Sequence, residues 1–245
     1  MAVKKELSYW FFLFLLLSIA DFSWVIYYCS WPSSSKTGFY KDFFPFFKCI
    51  FLFFIGGCWW NSVEERDKFV IIYLILAAVG DFFLEMSGFL YVLIGGIGFA
   101  ASHIFVILAL KPEWKKTKWY YYFLGIPGYS LHLVSLAPMV IQSKIQNYVF
   151  LVYIVLLCAG YTSSIAREYK VTLKSFSFWM CYIGYFFYLL SDYILFRRMI
   201  GRRINNLKGY EVMGTYYIAH SLLISGIIVE TPKESSISPN PMIPE

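Results

Sequence analysis

With 59% hydrophobic and 22% aromatic residues against 15% charged, and a mean hydropathy of +0.60, the 245-residue chain is too apolar for a soluble domain, in which about a quarter of the residues carry charge. It is read as an all-α, polytopic integral membrane protein: roughly twenty apolar residues cross a bilayer, and eight such runs fill the chain. The formal net charge of +6 sits in short loops, where insertion selects Lys and Arg; with no nucleic-acid motif present, no nucleic-acid partner is expected.

The first helix is expected over residues 8–29. It follows Lys4 and Lys5 as a signal peptide would, but it is long, carries Asp21 and lacks a small-x-small cleavage site, so it reads as a retained span. The second, 43–60, holds Pro45 and, one turn in, Lys48, whose bland reading is a side chain snorkelling to the surface. The third, 69–87, is long enough to span yet carries Asp81 and Glu85. An ionised carboxylate far from water is tolerated where it meets a polar cavity or a partner, so Asp81 is a functional candidate. The four-residue spacing puts Glu85 on the same helical face, with Ala77, Ala78 and Gly80 leaving room beside them.

A tight turn at Met86, Ser87 and Gly88 makes the third and fourth helices a hairpin. The fourth, 89–110, presents Gly96, Ala100 and His103 on one face, a small-residue stripe open to a close neighbour. The fifth, 119–141, contains His132 and bends, if anywhere, at Pro127. The sixth is expected over 148–166. The seventh, 176–195, aligns Tyr185, Tyr188 and Asp192, the second carboxylate of interest. A basic loop with Arg197, Arg198, Arg202, Arg203 and Lys208 leads to the eighth, 210–229, where Tyr217 and His220 share a face. Residues 1–230 form one transmembrane domain in this reading, and the Ser- and Pro-rich tail 231–245 is expected to be disordered.

Lys and Arg favour an internal N-terminus, against the weight of the last basic loop. Asp21, Lys48, Asp81, Glu85 and Asp192 then fall in the non-cytoplasmic half, which points to one shared cavity. A short echo links the two carboxylates: Gly80-Asp81-x-x-Leu84 precedes Ala101-Ser102-His103 by one helix, and Ser191-Asp192-x-x-Leu195 precedes Ala219-His220 likewise, as in a parallel repeat. The five cysteines show no metal spacing and read as core packing, no metal site is expected, and no Asn-x-Ser/Thr site occurs.

These residues resemble the lysoplasmalogenase family, the YhhN-type multi-pass membrane hydrolases, from the second helix to the eighth. The matching positions are Lys48; Gly80, Asp81 and Leu84; Gly96, Phe99 and His103; Ser191, Asp192 and Leu195; and Tyr216 with Ala219, followed by His220 where the family often carries Gln. The resemblance implies hydrolysis of the vinyl ether bond of a lysophospholipid, a lysoplasmalogen with an ethanolamine or choline head group, to a fatty aldehyde and a glycerophospho-base without a redox cofactor. Membrane lipids would surround the protein, in the endoplasmic reticulum of a eukaryote or the inner membrane of a bacterium.

Vinyl ethers hydrolyse by protonation at the β-carbon, which leaves an oxocarbenium ion for water to capture. That chemistry needs a carboxylic acid that keeps its proton and a second carboxylate that stabilises the cation. Asp81 is taken as the acid, and Asp192, beside Tyr188 and the basic loop, as the base. Lys48 would pair with a carboxylate or hold the phosphate; Glu85, His103, Tyr188, Tyr217, His220 and Asp21 would line the site.

Two rivals stand beside this reading. A zinc-dependent amidase like the alkaline ceramidases needs a histidine cluster, and the chain has three histidines without a His-x-x-x-His pair. A proton- or cation-coupled transporter would use the same carboxylates as a relay.

Overall fold

The apolar runs become helices because a backbone in a nonpolar setting must satisfy its own hydrogen bonds. The computed structural model describes residues 8–30, 39–64, 66–86, 88–142, 145–167, 173, 175–199 and 209–229. Among these lie α1 (Tyr9–Ser30), α2 (Phe39–Ser62), α3 (Lys68–Leu84), α4 (Phe89–Leu110), a 3₁₀ segment (Trp119–Gly125), α5 (Ile126–Gln142), α6 (Ile145–Ala166), α7 (Phe176–Met199) and α8 (Gly209–Ile228). The expected disordered tail, 231–245, and most of the basic loop before α8 lie outside the described residues.

Among the described residues four segments are long and apolar enough to cross a membrane: Tyr9–Ser30, Phe43–Ser62, Phe89–Leu110 and Phe176–Arg197. The polarity of the bundle is that of a membrane protein. Trp10, Leu16, Phe53, Ile97, Phe123 and Val155 face outward, while Lys48, Asp81, Asp192, His103 and His220 are buried at its centre.

Two hairpins carry the centre. In α3–α4 the chain reverses at Gly88, whose φ of +125° is open to glycine and strained for other residues. At the far end Asp67 caps α3, accepting from the Phe69 amide at 2.9 Å, and pairs with Lys111 Nζ at 3.0 Å. The helices touch through Gly98, where a Cβ would lie 3.2 Å from the Gly80 nitrogen. The stripe therefore differs from the expected one: Gly95 and Gly98 make the contact, and Gly96 has nothing within 4 Å of a built Cβ. His103 is nonetheless fully buried.

In α7–α8 the same closeness is built on Gly184, where a Cβ would meet the Leu223 backbone nitrogen at 2.9 Å. α4 packs on α6 and α8 on α2, so each hairpin reaches across to the helix preceding the other. α1 closes the arrangement against α2 and α8.

Several boundaries depart from expectation: α2 begins at Phe39, α6 at Ile145, and α7 runs on to Met199. α3 stops at Leu84, and Glu85 is its C-cap rather than a residue within it. The fifth helix begins as 3₁₀ over Trp119–Gly125 and turns α at Ile126, so Pro127 occupies a first-turn position where its missing N–H removes no helical bond.

Candidate active site

Asp81 is 2% exposed, at the C-terminal end of α3. Lys48 of α2 does not snorkel: it is 6% exposed, and its Nζ lies 2.8 Å from Glu85 Oε1 and 3.5 Å from Asp81 Oδ1. The other oxygen, Asp81 Oδ2, accepts from the Tyr216 hydroxyl of α8 at 2.7 Å. Tyr217, the next residue, donates to the Lys48 carbonyl at 3.4 Å and stacks on Phe51 at 3.9 Å between ring centroids. Both oxygens of Asp81 thus face donors, one of them cationic.

Asp192 of α7, 6% exposed, has a different neighbour. Its Oδ2 accepts from Tyr153 of α6 at 2.6 Å, and among the described residues no cation lies within ion-pair distance of it. Behind Tyr153 stands His103, with Nε2 3.2 Å from the Tyr153 oxygen and Nδ1 2.9 Å from the Tyr185 hydroxyl. Tyr153 gives its own proton to Asp192, so its oxygen must accept from His103. That fixes the tautomer: Nε2 carries hydrogen and Nδ1 accepts from Tyr185.

His220 of α8 is held in the same way, between Tyr73 at 2.5 Å on Nδ1 and Tyr188 at 2.8 Å on Nε2. The Tyr188 ring joins the two halves, 5.0 Å from His103 and 5.6 Å from Tyr216. Asp81 and Asp192 lie within electrostatic reach of each other.

The structure therefore gathers Lys48, Asp81 and Glu85 into one ion triad, and sets Tyr217, His103, Tyr188 and His220 around the two carboxylates. Tyr188, one turn before Asp192 on α7 and within its electrostatic reach, bonds to His220 of α8 at 2.8 Å. Asp21 is buried on α1 with no hydrogen-bond partner on Oδ2, near Tyr217 and Cys49 but bonded to none of the groups above. His132, buried on α5, also stays outside the network. Among the described residues no three His, Cys, Asp or Glu converge as a metal-binding group.

Tyr73 and Tyr153 were missed from sequence. With 21 tyrosines in the chain, nothing local distinguishes them. The internal echo carries a faint signal for Tyr153, since α6 stands to Asp192 as α2, with its lysine, stands to Asp81.

Fold and site together define, among the described residues, an all-helical bundle with four segments able to cross a membrane and two carboxylates in a buried, tyrosine-lined centre. The chain belongs to the YhhN family, the family of lysoplasmalogenases, whose model matches residues 43–227 and so covers every residue of this centre. Asp21 lies outside the matched span. No curated relative and no solved structure matches the chain.

Proposed function

We propose that this protein is a lysoplasmalogenase with eight transmembrane helices, resident in the endoplasmic reticulum or, in a bacterium, the inner membrane. Its substrate is a lysophospholipid with a vinyl ether chain, which it hydrolyses to a fatty aldehyde and a glycerophospho-base. The observation that carries this reading is the burial of Asp81 and Asp192 within the family-matched span, joined through Tyr216, Tyr188, His103 and Tyr153. A vinyl ether resists bases and nucleophiles and yields to acid, so a pair of carboxyl groups shielded from water suits it. The exposed, aromatic-rich outer face gives the hydrocarbon chain an apolar setting, and Glu85, a third exposed beside buried Lys48, marks the side from which a polar head group reaches the centre.

The experiment is to purify the protein in detergent and offer it vinyl-ether lysolipid and the saturated ether analogue. Aldehyde is expected from the first alone. A coupled transporter draws support from the same ion triad; proton- or cation-dependent uptake into liposomes, with no product formed from the vinyl ether, would replace the hydrolase reading.

A further inference from the structure

Resting on that reading, we infer that Asp192 is the carboxyl group that carries the proton to the substrate and that Asp81 is ionised in the resting protein, the reverse of the division expected from sequence. The argument is one of donors and oxygens. A carboxylate accepts hydrogen bonds on both oxygens, whereas a carboxylic acid needs one oxygen for its own proton. Asp81 has the Lys48 ammonium paired to Oδ1 at 3.5 Å and the Tyr216 hydroxyl hydrogen-bonded to Oδ2. Among the described residues Asp192 has one donor, Tyr153 on Oδ2, and none on Oδ1.

Charge leads to the same assignment. A buried carboxylate without a counter-ion is strongly disfavoured, and several kcal/mol are at stake when an ion leaves water. The groups facing Asp81 are Lys48 and Cys49 of α2, Glu85 at the end of its own helix and Tyr216 of α8. Those around Asp192 are Tyr153 of α6 and, behind it, the neutral His103 of α4, with Tyr185 and Tyr188 of its own helix. One cation already serves two acidic groups, Asp81 and Glu85, so a third negative charge within reach would have nothing to offset it.

The steps balance. The Asp192 Oδ1 proton bonds to the β-carbon through the electrons of the C=C bond, while an oxygen lone pair forms the C=O⁺ bond of the oxocarbenium ion beside anionic Asp81. Water adds its oxygen to the α-carbon and passes one proton to Asp81. The hemiacetal hydroxyl then gives its proton to ionised Asp192 as the carbon–oxygen bond to glycerol breaks, and the proton on Asp81 goes to the glycerol oxygen. Both groups end as they began, and neither oxidant nor metal enters the balance.

The test needs no turnover. Infrared spectra of the full-length protein at neutral pH report the carbonyl stretch of protonated carboxyl groups. Asp21, also buried without a cation, would contribute a band of its own, so Asp21→Asn serves as the background. In that background, Asp192→Asn should remove a remaining protonated-carboxyl band and Asp81→Asn should leave it, while Lys48→Met should add a second. Tyr153→Phe should shift the Asp192 band as its carbonyl loses a donor, which covers the case of an Asp192 variant that fails to fold. A band lost with Asp81→Asn, or one that neither Asp192→Asn nor Tyr153→Phe alters, overturns the assignment. Aldehyde release by the same preparation is scored separately: a band on Asp192 with no aldehyde from vinyl-ether lysolipid removes the reaction and the donor role with it.

Discussion

Tyr216 on α8 donates its hydroxyl to Asp81 on α3 at 2.7 Å, tying together two helices that stand 135 positions apart in the chain. A hydrogen bond to a charged group contributes about 1.5–3 kcal/mol, and its loss here leaves Asp81 with Lys48 alone. Tyr216→Phe should therefore lower thermal stability in detergent by an amount in that range. A melting temperature equal to wild type would mean that the hydroxyl has no such part.

Asp81→Asn and Asp192→Asn keep shape and remove the ionisable group. Each is expected to reduce aldehyde release from vinyl-ether lysolipid by about 10²- to 10⁴-fold, the usual contribution of a general acid or base, with the helical content preserved. Circular dichroism and product assays on one preparation check both parts. Activity within a few-fold of wild type in either variant counts against carboxylate catalysis.

Lys48→Met strips the ion triad of its cation. Leaving a buried partner uncompensated costs about 3–5 kcal/mol; Asp81 bears most of it, because Glu85 is partly open to its surroundings and screened. Thermal unfolding should show a larger loss for Lys48→Met than for Glu85→Gln. Equal losses would mean that the Lys48–Glu85 contact dominates.

Gly184 and Gly96 make a contrasting pair. Gly184→Ala puts a methyl group 2.9 Å from backbone on α8, and forcing tightly packed helices apart costs about 1–3 kcal/mol. Gly96→Ala meets nothing within 4 Å and gains helix propensity, so it should be neutral or stabilising by up to about 1 kcal/mol. Melting curves of the two variants side by side decide whether hairpin packing follows the contacts described.

Much of this was legible from the chain. Eight apolar runs gave eight helices among the described residues, and the spacing of Asp81 and Glu85 set both on one face, because i and i+4 face one way whether or not the second residue is still helical. The direction of Lys48 was not legible: a lysine near the end of an apolar run can turn outward or inward, and only the presence of α3 with two acidic groups decides it. Nor was the stripe on α4. Gly95, Gly96 and Gly98 all satisfy a small-residue pattern, and which of them meets a neighbour depends on the rotation of the helix about its axis, a property of packing rather than of local spacing. The tyrosine partners of Asp192 and the histidines were hidden for the same reason, since each lies on another helix, 32 to 147 positions away.

α1 rests on both α2 and α8. Of the helices described it is the first to leave the ribosome, and the smaller part of its seat is made by the last. While α8 is still being made, then, Asp21 waits at a surface that α8 has yet to cover, and the earliest of the described helices is completed by the latest of them.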